Sequence, residues 1–172
     1  MSLRVHQSII TRTDNRPNTN FAGGLASFIT VHMTGNRGIG ANAAAHANWI
    51  ASSAPYSWHA TVDDVEAWQH LLWSEQGWHA GDGGGPGNVS SIGIEICMHA
   101  GIDQEAAYRN AAELVRLLLG LGHGPTVVQH NHWTGKDCPE LIRAEPGKWE
   151  WFLGLVEGDD MTEDQVRQLL VD

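Results

Sequence analysis

The stretch that most limits the folds open to this chain is Ser91–Cys97, SIGIEIC, in which isoleucine recurs at every second position. Successive side chains of a strand point to opposite faces, so Ile92, Ile94 and Ile96 share one face and Gly93, Glu95 and Cys97 the other. A glutamate centred in an otherwise buried strand requires a reason. An ionised carboxylate in apolar surroundings is costly unless it is paired or works beside a cation. The pattern leaves a structural ion pair and a catalytic base equally open. Gly93 tips the reading towards a site, since a missing side chain leaves room for a ligand to approach.

Other elements arrange themselves around this strand. Ser27–Met33, SFITVHM, has the β-branched and aromatic content of a strand, with Phe28, Thr30 and His32 on one face. His32 falls at its end, before a turn at Thr34-Gly35-Asn36, and alone reads more readily as a core or loop histidine than as a functional one. Asn42–Ser53 is a short Ala-rich helix with Asn42 as N-cap, and His46 on it is a surface or packing residue. Short β-like runs follow at Trp58–Asp63, Glu66–Leu71 and Gly77–Ala80, the first two joined by a hairpin turn at Asp63-Asp64.

Gly81–Asn88, GDGGGPGN, reads as a flexible surface loop. Its spacing is not that of a phosphate-binding loop and no helix follows directly. Asp103–Leu121 is the main helix, capped by Asp103, with an apolar stripe of Ala107, Ala111, Leu114, Val115, Leu118 and Leu121. Thr126–His130 reads as a buried strand delivering His130 at its end, and Gly147–Glu157 as a further helix. This order predicts an α/β fold: a single domain with a central mixed β-sheet flanked by helices, over residues 1–157. Residues 158–172 are expected to be a linker or C-terminal helical tail.

At 172 residues the chain suits one domain with a substantial core. Ten Lys plus Arg against twenty Asp plus Glu, a formal net charge of -10, argue against nucleic acid, whose phosphates call for clustered basic residues. Two cysteines, Cys97 and Cys138, cannot build a disulfide framework, although one bridge between them is possible unless Cys138 is a metal thiolate. The first residues, MSLRVHQSIITRTDNRP, lack the apolar stretch of a signal peptide, and nothing reaches the roughly 20 apolar residues of a membrane span. The expectation is synthesis as a soluble cytoplasmic protein without membrane insertion. Most of the eight tryptophans are expected in the core.

Gln129–Pro139, QHNHWTGKDCP, concentrates two histidines, a lysine and a cysteine. Imidazole nitrogen and thiolate sulfur are the ligand types favoured by Zn²⁺, and three protein ligands with an open position is the catalytic pattern. His130 and His132, at i and i+2, would point the same way if the strand continued, and the residues alone do not choose between them. A packed histidine and a buried thiol are the alternative.

Five blocks in order, ITVHMTGN from Ile29, SWHATVDD from Ser57, WHAGDG from Trp78, GNVSSIGIEIC from Gly87 and QHNHWTGKDCP from Gln129, resemble the zinc-dependent N-acetylmuramoyl-L-alanine amidases. That family shares its fold with peptidoglycan recognition proteins and supplies many phage endolysins. The resemblance implies that His32, His130 and Cys138 are the zinc ligands, the last two eight positions apart as in the family, which favours His130 over His132. It implies catalytic roles for Glu95, as general base, and Lys136, as oxyanion stabiliser, and a place for His79 lining the substrate cleft. The bond implied is the amide between the lactyl group of N-acetylmuramic acid and L-alanine of the stem peptide.

Two rivals stand beside this reading: a peptidoglycan-binding module of the same fold without catalysis, and a zinc peptidase cutting within the stem peptide. The first is disfavoured by the presence of all three ligand residues. As an endolysin, the protein is expected in the host cytoplasm when made, acting on the bacterial cell wall. With its acidic surface, firm wall attachment would fall to a possible separate cell-wall-binding domain.

Overall fold

The computed structural model describes residues 2–158, so the expected tail lies, apart from Gly158, outside the described residues. One six-stranded sheet forms the centre, in the order β1-β4-β3-β5-β2-β6. The strands are β1 (Val5–Gln7), β2 (Phe28–Met33), β3 (Ala60–Val62), β4 (Ala67–Gln69), β5 (Ser91–Ile96) and β6 (Thr126–Gln129). Neighbours run parallel except β3 and β4, so the sheet is mixed, as expected. The exception is the hairpin at Asp63-Asp64. Asp63 Oδ1 accepts the backbone N–H groups of Val65 and Glu66, both at 2.8 Å, which folds the turn back on its own side chain.

The helices are α1 (Ala43–Ser52), α2 (Pro86–Val89), α3 (Gln104–Gly120), α4 (Asn131–Thr134), α5 (Glu140–Arg143) and α6 (Lys148–Val156). Asn42 and Asp103 cap α1 and α3 through side-chain oxygens that accept from Ala45 and Ala106. The apolar stripe of α3 joins Ile29, Val31, Ile92, Ile94 and Ile96 in one core with Phe152 of α6. Fully burying one such side chain contributes roughly 1.5–3 kcal/mol. The other face of the same strands carries Thr30, His32, Thr61, Gly93 and Glu95, and a smaller cluster of Ile10, Ile50, Ala54, Trp58 and Leu71 packs beneath α1 on that side of the molecule. One face is thus committed to the main core, and the other carries the polar groups beside the smaller apolar cluster.

Several expectations are corrected. Gly77–Ala80 forms no strand; its backbone donors go to side chains instead, with His79 and Ala80 N–H both bonded to Asn88 Oδ1 at 2.8 Å. The Gly81–Asn88 loop ends in the short helix α2, and Asp82 and Asn88 bind its backbone, so it is tied down. β6 is an edge strand, half-buried to exposed, because only β2 flanks it. β1 went unread, since three residues give too short a run for a periodic signal. Two of the eight tryptophans, Trp58 and Trp73, are buried; the others are half-buried or exposed, as suits a large ring with one polar atom. Both cysteines are free thiols. No helix among the described residues is long and apolar enough to cross a membrane.

Candidate metal centre and active-site cleft

Three elements bring the expected ligands together. His32 is the fifth residue of β2 and 1% exposed. His130 directly follows β6, where its N–H donates to Val31 O at 3.1 Å, so the β2–β6 pairing carries it to the level of His32. Cys138 returns on the loop after α4, which Gly135 ends with a left-handed φ of 75°. Asn131 ties that loop: its N–H donates to Cys138 O at 3.0 Å and its amide to Lys136 O at 2.9 Å. The potential ligand atoms of His32, His130 and Cys138 all lie within 4.8 Å of one another, and all three residues are buried.

The protonation pattern suits a cation. His130 Nε2 lies 2.8 Å from the carbonyl oxygen of Ala80, which only accepts, so Nε2 carries the proton and Nδ1 offers a lone pair. That Nδ1 faces His32 Nδ1 at 3.0 Å. Burial, with neighbouring histidines and Lys136, pushes the pKa of His32 well below 6.5, and burial lowers that of His130, which favours the neutral form a metal needs. Burial raises the Cys138 thiol to about 11, so its thiolate calls for a positive partner.

Glu95 stands opposite His32 on β5, its Oε1 3.8 Å from His32 Nδ1. Its other oxygen is buried and has no hydrogen-bond partner among the described residues. Desolvation lifts this carboxyl to about 7, against the lowering influence of Lys136. A carboxylate beside the His32 imidazole, with an unbonded oxygen, is placed to accept a proton. His32, Glu95, His130 and Lys136 line a cleft of about 760 Å³. Trp49, Tyr56 and Trp78, all more than one-third exposed, form an aromatic part of its wall.

His79 lines the cleft too, but packs edge-on against His32. Its pKa is lowered by burial to about 4. The space above Gly93, which reads from the sequence as room for a ligand, is taken by the His79 ring. His132 is exposed and lies tilted against Phe28 and edge-on to Trp133, because the strand stops at Gln129 and α4 turns the residue away. Asn88 and the Ala80 carbonyl, which hold this site together, fall in blocks that carry the family resemblance but are not singled out by residue type or spacing.

Fold and site together define a single α/β domain with a candidate His/His/Cys metal centre at one end of a mostly parallel sheet. The chain belongs to the N-acetylmuramoyl-L-alanine amidase family, whose model matches residues 23–141. Among curated relatives, N-acetylmuramoyl-L-alanine amidase XlyA of Bacillus subtilis (strain 168) is 50% identical over 119 residues, 67% of this chain and 40% of the relative. CwlH of the same organism is 44% identical over 151 residues, 86% and 58% of the two chains. This chain therefore spans less than two thirds of either relative. The solved catalytic domain of XlyA superposes with a TM-score of 0.82 at 40% identity, covering 90% of this chain and 99% of that one. The Drosophila peptidoglycan recognition protein PGRP-LB, at 12% identity and a TM-score of 0.61 over 84% of this chain and 95% of that one, shares the fold.

Proposed function

We propose that this domain is a zinc-dependent peptidoglycan hydrolase that cleaves the amide between the lactyl group of N-acetylmuramic acid and L-alanine of the stem peptide. The observation that carries the reading is the convergence of the His32, His130 and Cys138 ligand atoms within 4.8 Å, with Glu95 beside them, in a member of the amidase family. Two imidazoles and one thiol form a borderline-soft donor set that fits Zn²⁺ better than Mg²⁺ or Ca²⁺, which prefer oxygen. His32, His130 and Cys138 would hold the ion. Bound there, zinc supplies Lewis-acid polarisation and lowers the pKa of a water.

The remaining steps belong to the protein. Glu95, half-buried beside His32 and with a pKa raised by desolvation, takes a proton from the attacking water and passes it to the departing amine of L-alanine. Lys136, on the cleft wall, offers a cation to the oxyanion that develops at the lactyl carbonyl. The aromatic wall of Trp49, Tyr56 and Trp78 suits the apolar faces of a sugar-peptide ligand. With a formal net charge of -10, the chain gains no electrostatic hold on an anionic envelope, so strong wall targeting would fall to a separate binding domain.

Mass spectrometry of digested, purified cell wall tests the reading. Free lactyl groups on muramic acid with intact stem peptides, appearing only without chelator, are expected. Cuts between amino acids would identify a peptidase instead, and binding without cleavage a recognition module.

A further inference from the structure

We propose that His79 is a positioning residue that fixes the tautomer and orientation of His32, so that Nδ1 of His32 is the atom presented to the metal. The proposal rests on the reading of His32 as a metal ligand. His79 Nε2 lies 3.1 Å from the carbonyl oxygen of Ser91, which can only accept, so Nε2 carries the single proton of a neutral imidazole. His79 Nδ1 is then an acceptor. It lies 3.0 Å from His32 Nε2, which must therefore donate, and the lone pair of His32 is left on Nδ1. That is the nitrogen that faces His130 Nδ1 and Glu95.

Two further features are built for this contact. The His79 ring meets His32 edge-on, at 5.1 Å between centroids and 86° between planes, and it occupies the space over Gly93. A Cβ at Gly93 would come within 2.6–2.8 Å of three atoms of that ring, so any larger residue would unseat it. On the backbone side, Asn88 Oδ1 accepts from both His79 N–H and Ala80 N–H at 2.8 Å. The Ala80 carbonyl in turn accepts from His130 Nε2. One two-residue segment, pinned by one asparagine, thus orients both histidines. The outer nitrogen of a metal-ligating histidine is commonly bonded to a carboxylate or carbonyl. Here an imidazole, itself held by a carbonyl, takes that place for His32.

Zinc affinity by chelator competition, measured on folded wild type, His79→Ala, His79→Asn and His32→Ala, tests the proposal together with ¹H–¹⁵N imidazole spectra of the zinc-loaded wild type. His79→Ala is expected to bind zinc about 10–100-fold more weakly, the usual range for loss of such a partner. His79→Asn, whose side-chain oxygen can occupy the place of Nδ1, should recover most of that loss. The spectra should show His32 protonated on Nε2 and metallated on Nδ1, a readout that needs no variant. Wild-type affinity in His79→Ala, or metal on Nε2 of His32, would overturn the positioning role. Wild-type affinity in His32→Ala would instead remove the ligand reading beneath it.

Discussion

His32 and Glu95 occupy directly opposed positions on adjacent parallel strands, with Glu95 Oε1 3.8 Å from His32 Nδ1. The pairing is a consequence of register. Ile29, Val31 and Met33 on β2 align with Ile92, Ile94 and Ile96 on β5, and all six are buried in the core. A slip of one residue would turn those side chains out and drive the histidine and the glutamate inward. The packing that stabilises the sheet therefore also sets the candidate ligand beside the candidate base.

Glu95→Gln keeps the shape and removes the proton acceptor. Turnover of purified cell wall is expected to fall by roughly 10² or more, the lower range for general acid–base catalysis, with metal content unchanged. Metal analysis and kinetics on the same preparation check this, and near-normal turnover would remove Glu95 from the base role.

Lys136 is exposed on the cleft wall, so its loss should leave folding and the ligand cluster intact. Lys136→Ala is expected to lower kcat at constant zinc content, because an oxyanion partner acts only as charge develops. A change confined to KM would make it a substrate-binding residue.

Cys138 contributes the only sulfur of the candidate centre. Cys138→Ala leaves two imidazoles, and zinc retained through dialysis is expected to fall from about one ion per chain, the count of a single three-ligand site, to a small fraction of that. Chelator should likewise silence the wild type and added zinc restore it. Stoichiometric zinc with full activity in Cys138→Ala would refute the ligand set.

Much of this site was legible because it lies where local rules are strong. The alternation in SIGIEIC places Glu95 opposite the isoleucines, and β-branched content places His32 at a strand end. The choice of His130 over His132 was not legible from local pattern, since it depends on the strand stopping at Gln129 and α4 starting. Gly93 gave a true signal with the wrong occupant. A sequence shows that a side chain is missing, whereas what fills the gap is decided by His79, which reaches it from a loop. That loop was unreadable because its bonds run through the Asn88 side chain instead of a ladder.

Two further histidines lie buried outside the candidate metal cluster. His59 and His70 are fully buried, and burial depresses both pKa values to about 3. His59 has no free nitrogen: Nε2 donates to Glu75 O at 2.8 Å and Nδ1 accepts from Gly93 N–H at 3.0 Å. His70 Nε2 bonds to Thr61 Oγ1 at 2.9 Å. The unfolded chain takes up a proton at each below about pH 6.5, the ordinary imidazole value, while the folded chain refuses it until about 3. The unfolded state binds more protons in that window, so stability is fully present above it and falls as pH is lowered. The slope is about 1.4 kcal/mol per pH unit for each histidine. His70→Gln, which cannot titrate but can still bond to Thr61, should remove one histidine's share of that slope. Urea unfolding of both proteins between pH 7.5 and 4.5 measures the difference, and parallel stability curves would show that His70 is protonated alike in the folded and unfolded chain.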